Sequence, residues 1–230
     1  MTFDMALIVG AGSGLSASLA RLFAREGLKV ALAARRPEKL AALCAETGAR
    51  AFACDAAVPE DVDRLFADLE TALGTPDLVV YNPSSRVRGP LVELDRAAVR
   101  EALAVTGYGA FLVGQAAARR MLALGRGAIL FTGASASVKG YARSSAFAMG
   151  KFAQRGLAQA MARELAPQNI HVAHFVIDGA IRSGRVPQVG DRPDSALDPD
   201  AIAATYWHIA CQPRSAWTWE VELRPWVETF

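Results

Sequence analysis

The run Ala6-Leu7-Ile8-Val9-Gly10-Ala11-Gly12-Ser13-Gly14-Leu15 decides how the rest of the chain is read. Its first four residues are apolar without alternation, which suits a strand covered on both faces, and from Leu15 onward apolar side chains recur at helical spacing. The turn between these two patterns is rich in glycine. Such a turn, leaving a buried strand and opening a helix, brings backbone N–H groups close to a ligand. The helix N-terminus adds partial positive charge, and the combination suits a pyrophosphate. Gly10, Gly12, Ser13, Gly14 and Leu15 are therefore candidate phosphate-binding residues.

Outward from this turn the pattern repeats. Runs rich in Val, Ile, Leu and Phe at 6–9, 29–33, 51–53, 78–81, 128–132 and 172–177 read as buried strands. Helix-period stretches lie between them at 15–25, 37–46, 59–73, 96–122 and 145–165. Strict alternation implies parallel strands joined by right-handed crossovers, with helices on both faces. The expected fold is α/β, a Rossmann-type doubly wound parallel sheet of about seven strands, in a single dinucleotide-binding domain over 1–230. Residues 218–223 alternate apolar and acidic side chains and suit the seventh strand. Residues 178–199 are rich in Pro, Gly, Asp, Arg and Ser without periodicity and follow the sixth strand, where a substrate-side loop that covers the ligand is expected.

Composition narrows the class. The 230 residues are 52% hydrophobic and 21% charged with net charge +2, enough apolar mass for a substantial core. Lys and Arg are scattered, so neither nucleic acid nor an anionic membrane is an expected partner. The segment around Asp4 has no cationic stretch, and its apolar run is far shorter than the ~20 residues of a span. Cys44, Cys54 and Cys211 are an odd set without metal-ligand spacing, which favours reduced thiols and a cytoplasmic setting. No metal site is expected, and His171, His174 and His208 read as structural.

At the end of the second strand stand Ala33-Ala34-Arg35-Arg36, where an NAD-selective site would place a carboxylate for the ribose hydroxyls. A guanidinium fork matches a phosphate instead, so Arg35, with Arg36 beside it, favours NADP(H) over NAD(H). Asp55 and Ala56 follow the third strand, and Asn82, Pro83 and Ser84 the fourth. They either border the cofactor or simply cap strand ends.

Together these residues resemble the short-chain dehydrogenase/reductase family over nearly the whole chain. Gly10 to Ser16 resembles its TGxxxGxG turn, with Val9 for the Thr and Ser16 for the last Gly. Tyr81-Asn82-Pro83-Ser84 stands where the family has NNAG, and Asp178-Gly179 where it has Pro-Gly, followed by Ile181 and Ser183 for its Ile and Thr. Lys151 matches the family's active-site Lys, but Phe147 holds the place of the Tyr, Ala134 that of the Ser, and Thr106 that of the Asn. The resemblance implies that Lys151 holds the nicotinamide ribose, with Gly179 and Ile181 beside the nicotinamide. Phenylalanine cannot donate the proton that accompanies hydride transfer, so Ser135, one residue off, and Tyr141, before the helix, are the candidate hydroxyls. Two readings follow: an NADP(H)-dependent oxidoreductase with a degenerate Ser/Tyr site, reducing a small carbonyl-type or enone substrate, and a catalytically silent dinucleotide-binding sensor or partner subunit. A homodimer or homotetramer is implied through the fourth and fifth helices and the C-terminal strand, with exposed Trp217, Trp219 and Trp226 expected at the interface.

Overall fold

Strands that are apolar at every position must be covered on both sides, which forces helices onto both faces of a sheet. The computed structural model, which describes residues 2–183 and 192–229, has this arrangement. Seven strands, β1 (Met5–Val9), β2 (Lys29–Ala34), β3 (Arg50–Ala53), β4 (Leu78–Tyr81), β5 (Gly127–Thr132), β6 (Ile170–Ile177) and β7 (Glu220–Leu223), form one sheet in the order β3-β2-β1-β4-β5-β6-β7. Every pairing is parallel, and β1, β4, β5 and β6 are buried at each residue. The chain moves outward from β1 to β3 and then returns to β4, so the strand order reverses between β1 and β4. At such a reversal, loops diverge from the carboxyl ends of neighbouring strands and leave a crevice.

Helices α1 (Leu15–Arg25), α2 (Ala41–Thr47) and α7 (Pro199–Ala210) pack on one face through Leu19, Phe23, Leu43, Ile202 and Tyr206. The other face is covered by α3 (Pro59–Ala72), α5 (Gly109–Leu124) and α6 (Ser145–Leu165) through Leu65, Phe66, Val113, Met121 and Met161. The remaining helix, α4 (Arg96–Leu103), runs into α5. No helix among the described residues is long and apolar enough to cross a membrane.

Several sequence expectations are corrected. The stretch 37–46 starts as a 3₁₀ turn, Pro37–Leu40, before α2. The single helix expected over 96–122 carries a π-turn at Ala104–Tyr108. Gly109 lies so close to β4 that a Cβ there would stand 2.5 Å from the Tyr81 hydroxyl and 2.6 Å from the Ala56 carbonyl oxygen. The widened turn leaves the Val105 carbonyl to accept from that hydroxyl. Helix α7 was not expected from periodicity; Asp198 caps it by accepting from the Asp200 N–H at 2.9 Å, with Pro199 in the first turn. The tryptophans expected at an interface mostly pack within the chain: Trp217 stacks on His171 with centroids 4.7 Å apart, and Arg155 lies over Trp219, leaving Trp226 as the exposed one. Of the loop expected at 178–199, residues 184–191 lie outside the described residues, and its two ends meet where Ile181 pairs with Leu197.

The buried Asp77 sets the start of β1 against β4. Its carboxylate accepts from the N–H groups of Asp4 and Met5 at 3.0–3.1 Å and pairs with Arg126 at 2.8 Å. Asp77→Ala strands two backbone donors and takes one partner from the Arg126 guanidinium, which keeps Asp4 and the Thr2 carbonyl, so chemical denaturation should show a loss of ~2–4 kcal/mol. A loss below ~1 kcal/mol would mean that water replaces the carboxylate.

Candidate active site

The glycine turn leaves β1 through Gly10, whose φ of +76° is a left-handed conformation suited to glycine. The N–H groups of Gly10 and Ala11 donate to the Ala33 carbonyl at 2.9 and 3.0 Å, and a Cβ on Gly10 would lie 2.7 Å from Pro83. Ser16, where the resemblance calls for glycine, donates its hydroxyl to the Gly10 carbonyl at 3.2 Å and accepts from Asn82 Nδ2 at 2.8 Å. Asn82 in turn donates its N–H to the Val9 carbonyl at 3.0 Å. The turn is therefore tied to β4 by side chains. Cβ atoms on Gly12 and Gly14 would meet nothing within 4 Å, so the outer edge of the turn is open. Gly14 also offers no side chain to cap α1, which leaves first-turn donors for a ligand.

Two cavities share Asn82 and Ser84 and together form a crevice across the carboxyl ends of the strands. The smaller, about 330 Å³, is bordered by Gly10, Arg35, Asp55, Ala56 and Pro83. The larger, about 820 Å³, is bordered by Gly14, Leu15, Ser135, Tyr141, Phe147, Lys151, Gly179 and Ile181. Gly12 and Ser13 stand on the turn between the strand and α1 without bordering either cavity, and Arg36 instead precedes the 3₁₀ turn. Asp55 both borders the smaller cavity and caps locally, its Oδ1 accepting from the Ala57 N–H at 3.0 Å. The open turn, the uncapped helix end and a two-lobed crevice fit a dinucleotide with its pyrophosphate at the turn.

In the larger lobe Lys151 is 2% exposed, and its Nζ donates to the Thr132 carbonyl at 2.5 Å and to Gln154 Oε1 at 3.0 Å. Burial, helped by the positive charge of Arg86, pushes its pKa down to about 7. Phe147 and Ala134, at the positions of the family's Tyr and Ser, are buried and line the same lobe. Ser135 and the exposed Tyr141 also line it, so the crevice brings together both candidate hydroxyls and Lys151. Thr106 does not line the cavity. It is buried, and its hydroxyl accepts from the Ser85 N–H at 3.1 Å, so it positions a loop. His171 and His174 are structural: one stacks on Trp217, and the other meets Glu220 at 3.0 Å, with burial holding its pKa down at about 4.

Sequence reasoning missed Arg86, Arg88, Ser144, Arg182 and Glu228, which also line the larger cavity. The local signal was Ser84-Ser85-Arg86-Val87-Arg88-Gly89, two arginines on the loop that leaves β4 at the strand-order reversal.

A glycine turn at the switch point of a parallel sheet, opening onto a buried lysine, is the arrangement of a Rossmann-type dinucleotide-binding fold. The sequence profile of the short chain dehydrogenase family matches residues 4–190, and the chain belongs to that family. It is 33% identical to a sorbitol dehydrogenase of Cereibacter sphaeroides over 180 residues, 76% of this chain and 70% of that protein. Among solved structures, a short-chain dehydrogenase from Rhodopseudomonas palustris superposes with a TM-score of 0.84 at 36% identity, covering 97% of this chain and 99% of that one. A metagenomic short-chain oxidoreductase in complex with NADP superposes with a TM-score of 0.84 at 28% identity, covering 96% and 97%.

The depressed Lys151 pKa has a thermodynamic sign. Between about 7 and the ordinary value of 10.5 the unfolded chain holds a proton on Lys151 that the native chain does not, so its contribution to stability rises with pH there. The melting temperature of the native sequence minus that of Lys151→Met should therefore increase from pH 7 to pH 9, measured by calorimetry in cofactor-free protein. A difference that stays flat across that range would place the Lys151 pKa near its ordinary value.

Proposed function

We propose that the protein is an NADP(H)-dependent oxidoreductase acting on a small carbonyl-type or enone compound, with Lys151 as the retained element of a degenerate site. The observation that carries this reading is the continuity of the crevice from Arg35 at the end of β2, past Asn82 and Ser84, to Lys151. Arg35 would take the 2′-phosphate, the turn at Gly10–Gly14 the pyrophosphate, and Lys151 the nicotinamide ribose, with Gly179 and Ile181 beside the ring. When bound, the reduced cofactor supplies hydride to the carbonyl carbon while the π pair moves to oxygen and takes up a proton, giving the alcohol and oxidised cofactor. Ser135, Tyr141 or water provides that proton in place of the missing phenol. The solved relative in complex with NADP supports the cofactor assignment. Residues 178–199 would form the substrate-side loop within the single dinucleotide-binding domain.

A specific observation favours the second reading, a silent dinucleotide-binding sensor or partner subunit. The buried apolar Phe147 and Ala134 occupy the donor positions. Self-association belongs to the same proposal: Phe111 of α5 and Met149 and Phe152 of α6 are exposed apolar residues on the helices that the family resemblance places at an interface.

Titration of both cofactors should give NADPH at least about tenfold tighter than NADH, with Arg35→Ala erasing the difference, because a charge-assisted phosphate contact exceeds the ~1.4 kcal/mol this represents. Equal affinities in the unaltered protein would overturn the assignment of Arg35. Simple neutral ketones should be reduced poorly, and Ala134→Ser with Phe147→Tyr should raise NADPH-dependent reduction at least about tenfold, below the 10²–10⁴ typical of a positioned general acid. Turnover of such ketones at about 1 s⁻¹ without the substitutions would instead make Ser135 or Tyr141 an effective donor.

A further inference from the structure

The loop that leaves β4 is fixed at two places, where the Ser85 N–H donates to Thr106 Oγ1 at 3.1 Å and the Gly89 N–H to the Arg143 carbonyl at 3.1 Å. Between these ties, Arg86 lays its guanidinium over the Phe147 ring, 4.4 Å from the centroid. This places a cation against the side chain that stands where the family's proton-donating Tyr would be, one helical turn from Lys151. Arg88, on the same loop, lines the same cavity. Among the described residues no carboxylate lies within ion-pair distance of either arginine. Among the described residues two acids border the cavity. Asp178 is paired with Arg224 at 3.0 Å and Lys139 at 3.7 Å, and Glu228 lies toward Gly179.

A guanidinium held by a ring face keeps its N–H edge free to present a planar fork, which matches two oxygens of an oxyanion. Arg86 is open to cleft water, the surrounding walls and the neighbouring Arg88 lower its pKa, and among the described residues no carboxylate pairs with it. The cofactor's phosphates have their partners elsewhere in the proposed arrangement, at the glycine turn and at Arg35. We infer that the substrate carries an anionic group, a carboxylate or phosphate attached near its reacting carbonyl, and that Arg86, assisted by Arg88, holds it over Phe147. This inference rests on the assignment of the larger lobe as the substrate site of a carbonyl-reducing protein. It also supplies what the lost phenol cannot, a group that fixes the substrate's orientation.

The test is calorimetric titration of the full chain with 2-oxobutyrate against its methyl ester, and with dihydroxyacetone phosphate against dihydroxyacetone, each with and without NADP⁺. At least one anion should bind about tenfold or more tightly than its neutral partner, a span one charge-assisted bidentate contact can supply, and which pair responds distinguishes carboxylate from phosphate. Arg86→Gln should remove that preference and Arg88→Gln should reduce it, while the preference for NADPH over NADH, set at Arg35 and followed by cofactor fluorescence, stays unchanged in both. Absence of any anion preference, or a preference that survives Arg86→Gln, would overturn the inference. Failure of NADPH to bind would overturn the cofactor reading, and the cofactor-free titrations would still decide the anion site.

Discussion

The side-chain tie from Asn82 to Ser16, and from Ser16 to the Gly10 carbonyl, joins β1, α1 and β4 at the point where the strand order reverses. The crevice depends on this junction. The first glycine turn must leave β1 with φ of +76° and pass Pro83 with no room for a Cβ, and the Asn82 side chain keeps the two loops together. A serine at this place departs from the family's glycine pattern, and its hydroxyl provides the closure. The turn then stays open on its outer edge, because the polar groups on its inner edge already have partners.

A second constraint runs through the middle of the molecule. The close approach of Gly109 to Tyr81 and Ala56, and of Gly150 to Thr106, draws the π-turn at Ala104–Tyr108 against both β4 and α6. A widened turn releases a carbonyl, which Tyr81 takes, and presents Thr106 toward the loop after β4. In this chain, therefore, the residue at the family's Asn position holds Ser85, Ser85 adjoins Arg86, and Arg86 covers Phe147. The substitutions at the family's Asn and Tyr positions are thus parts of one local arrangement.

What was legible in the sequence was what local periodicity and turn chemistry encode. The strands at 6–9 and 78–81 are continuous apolar runs, the turn between β1 and α1 carries its glycines in order, and Arg35 follows β2 directly, so the sheet and residues bordering the smaller cavity could be read along the chain. The π-turn was not legible, because it is decided by contacts between residues far apart in sequence, Tyr81 with Val105 and Thr106 with Gly150. Helix α7 had a local signal in Asp198-Pro199, a capping Asp followed by a first-turn Pro. Tyr206 is buried, with its hydroxyl donating to Thr132 Oγ1 at 2.9 Å. Arg86 had no periodicity to reveal it, and its importance comes only from the ring it meets across the cleft.

The electrostatics of the larger lobe link its cations to one another. Lys151 is buried and hydrogen-bonded to two neutral acceptors, the Thr132 carbonyl and the Gln154 side chain, and Arg86 adds repulsion that lowers its pKa. Burial is the larger of these effects and is permanent, whereas the repulsion depends on how exposed the Arg86 charge is to Lys151. Any negative charge that comes to rest on Arg86 offsets that repulsion and so favours the protonated form of Lys151. Binding of an anion and protonation of Lys151 are therefore thermodynamically coupled, each favouring the other. Phe147, at the position of the family's Tyr, gives the Lys151 charge no phenol there to act on, so on that side of the lobe the charge faces Arg86.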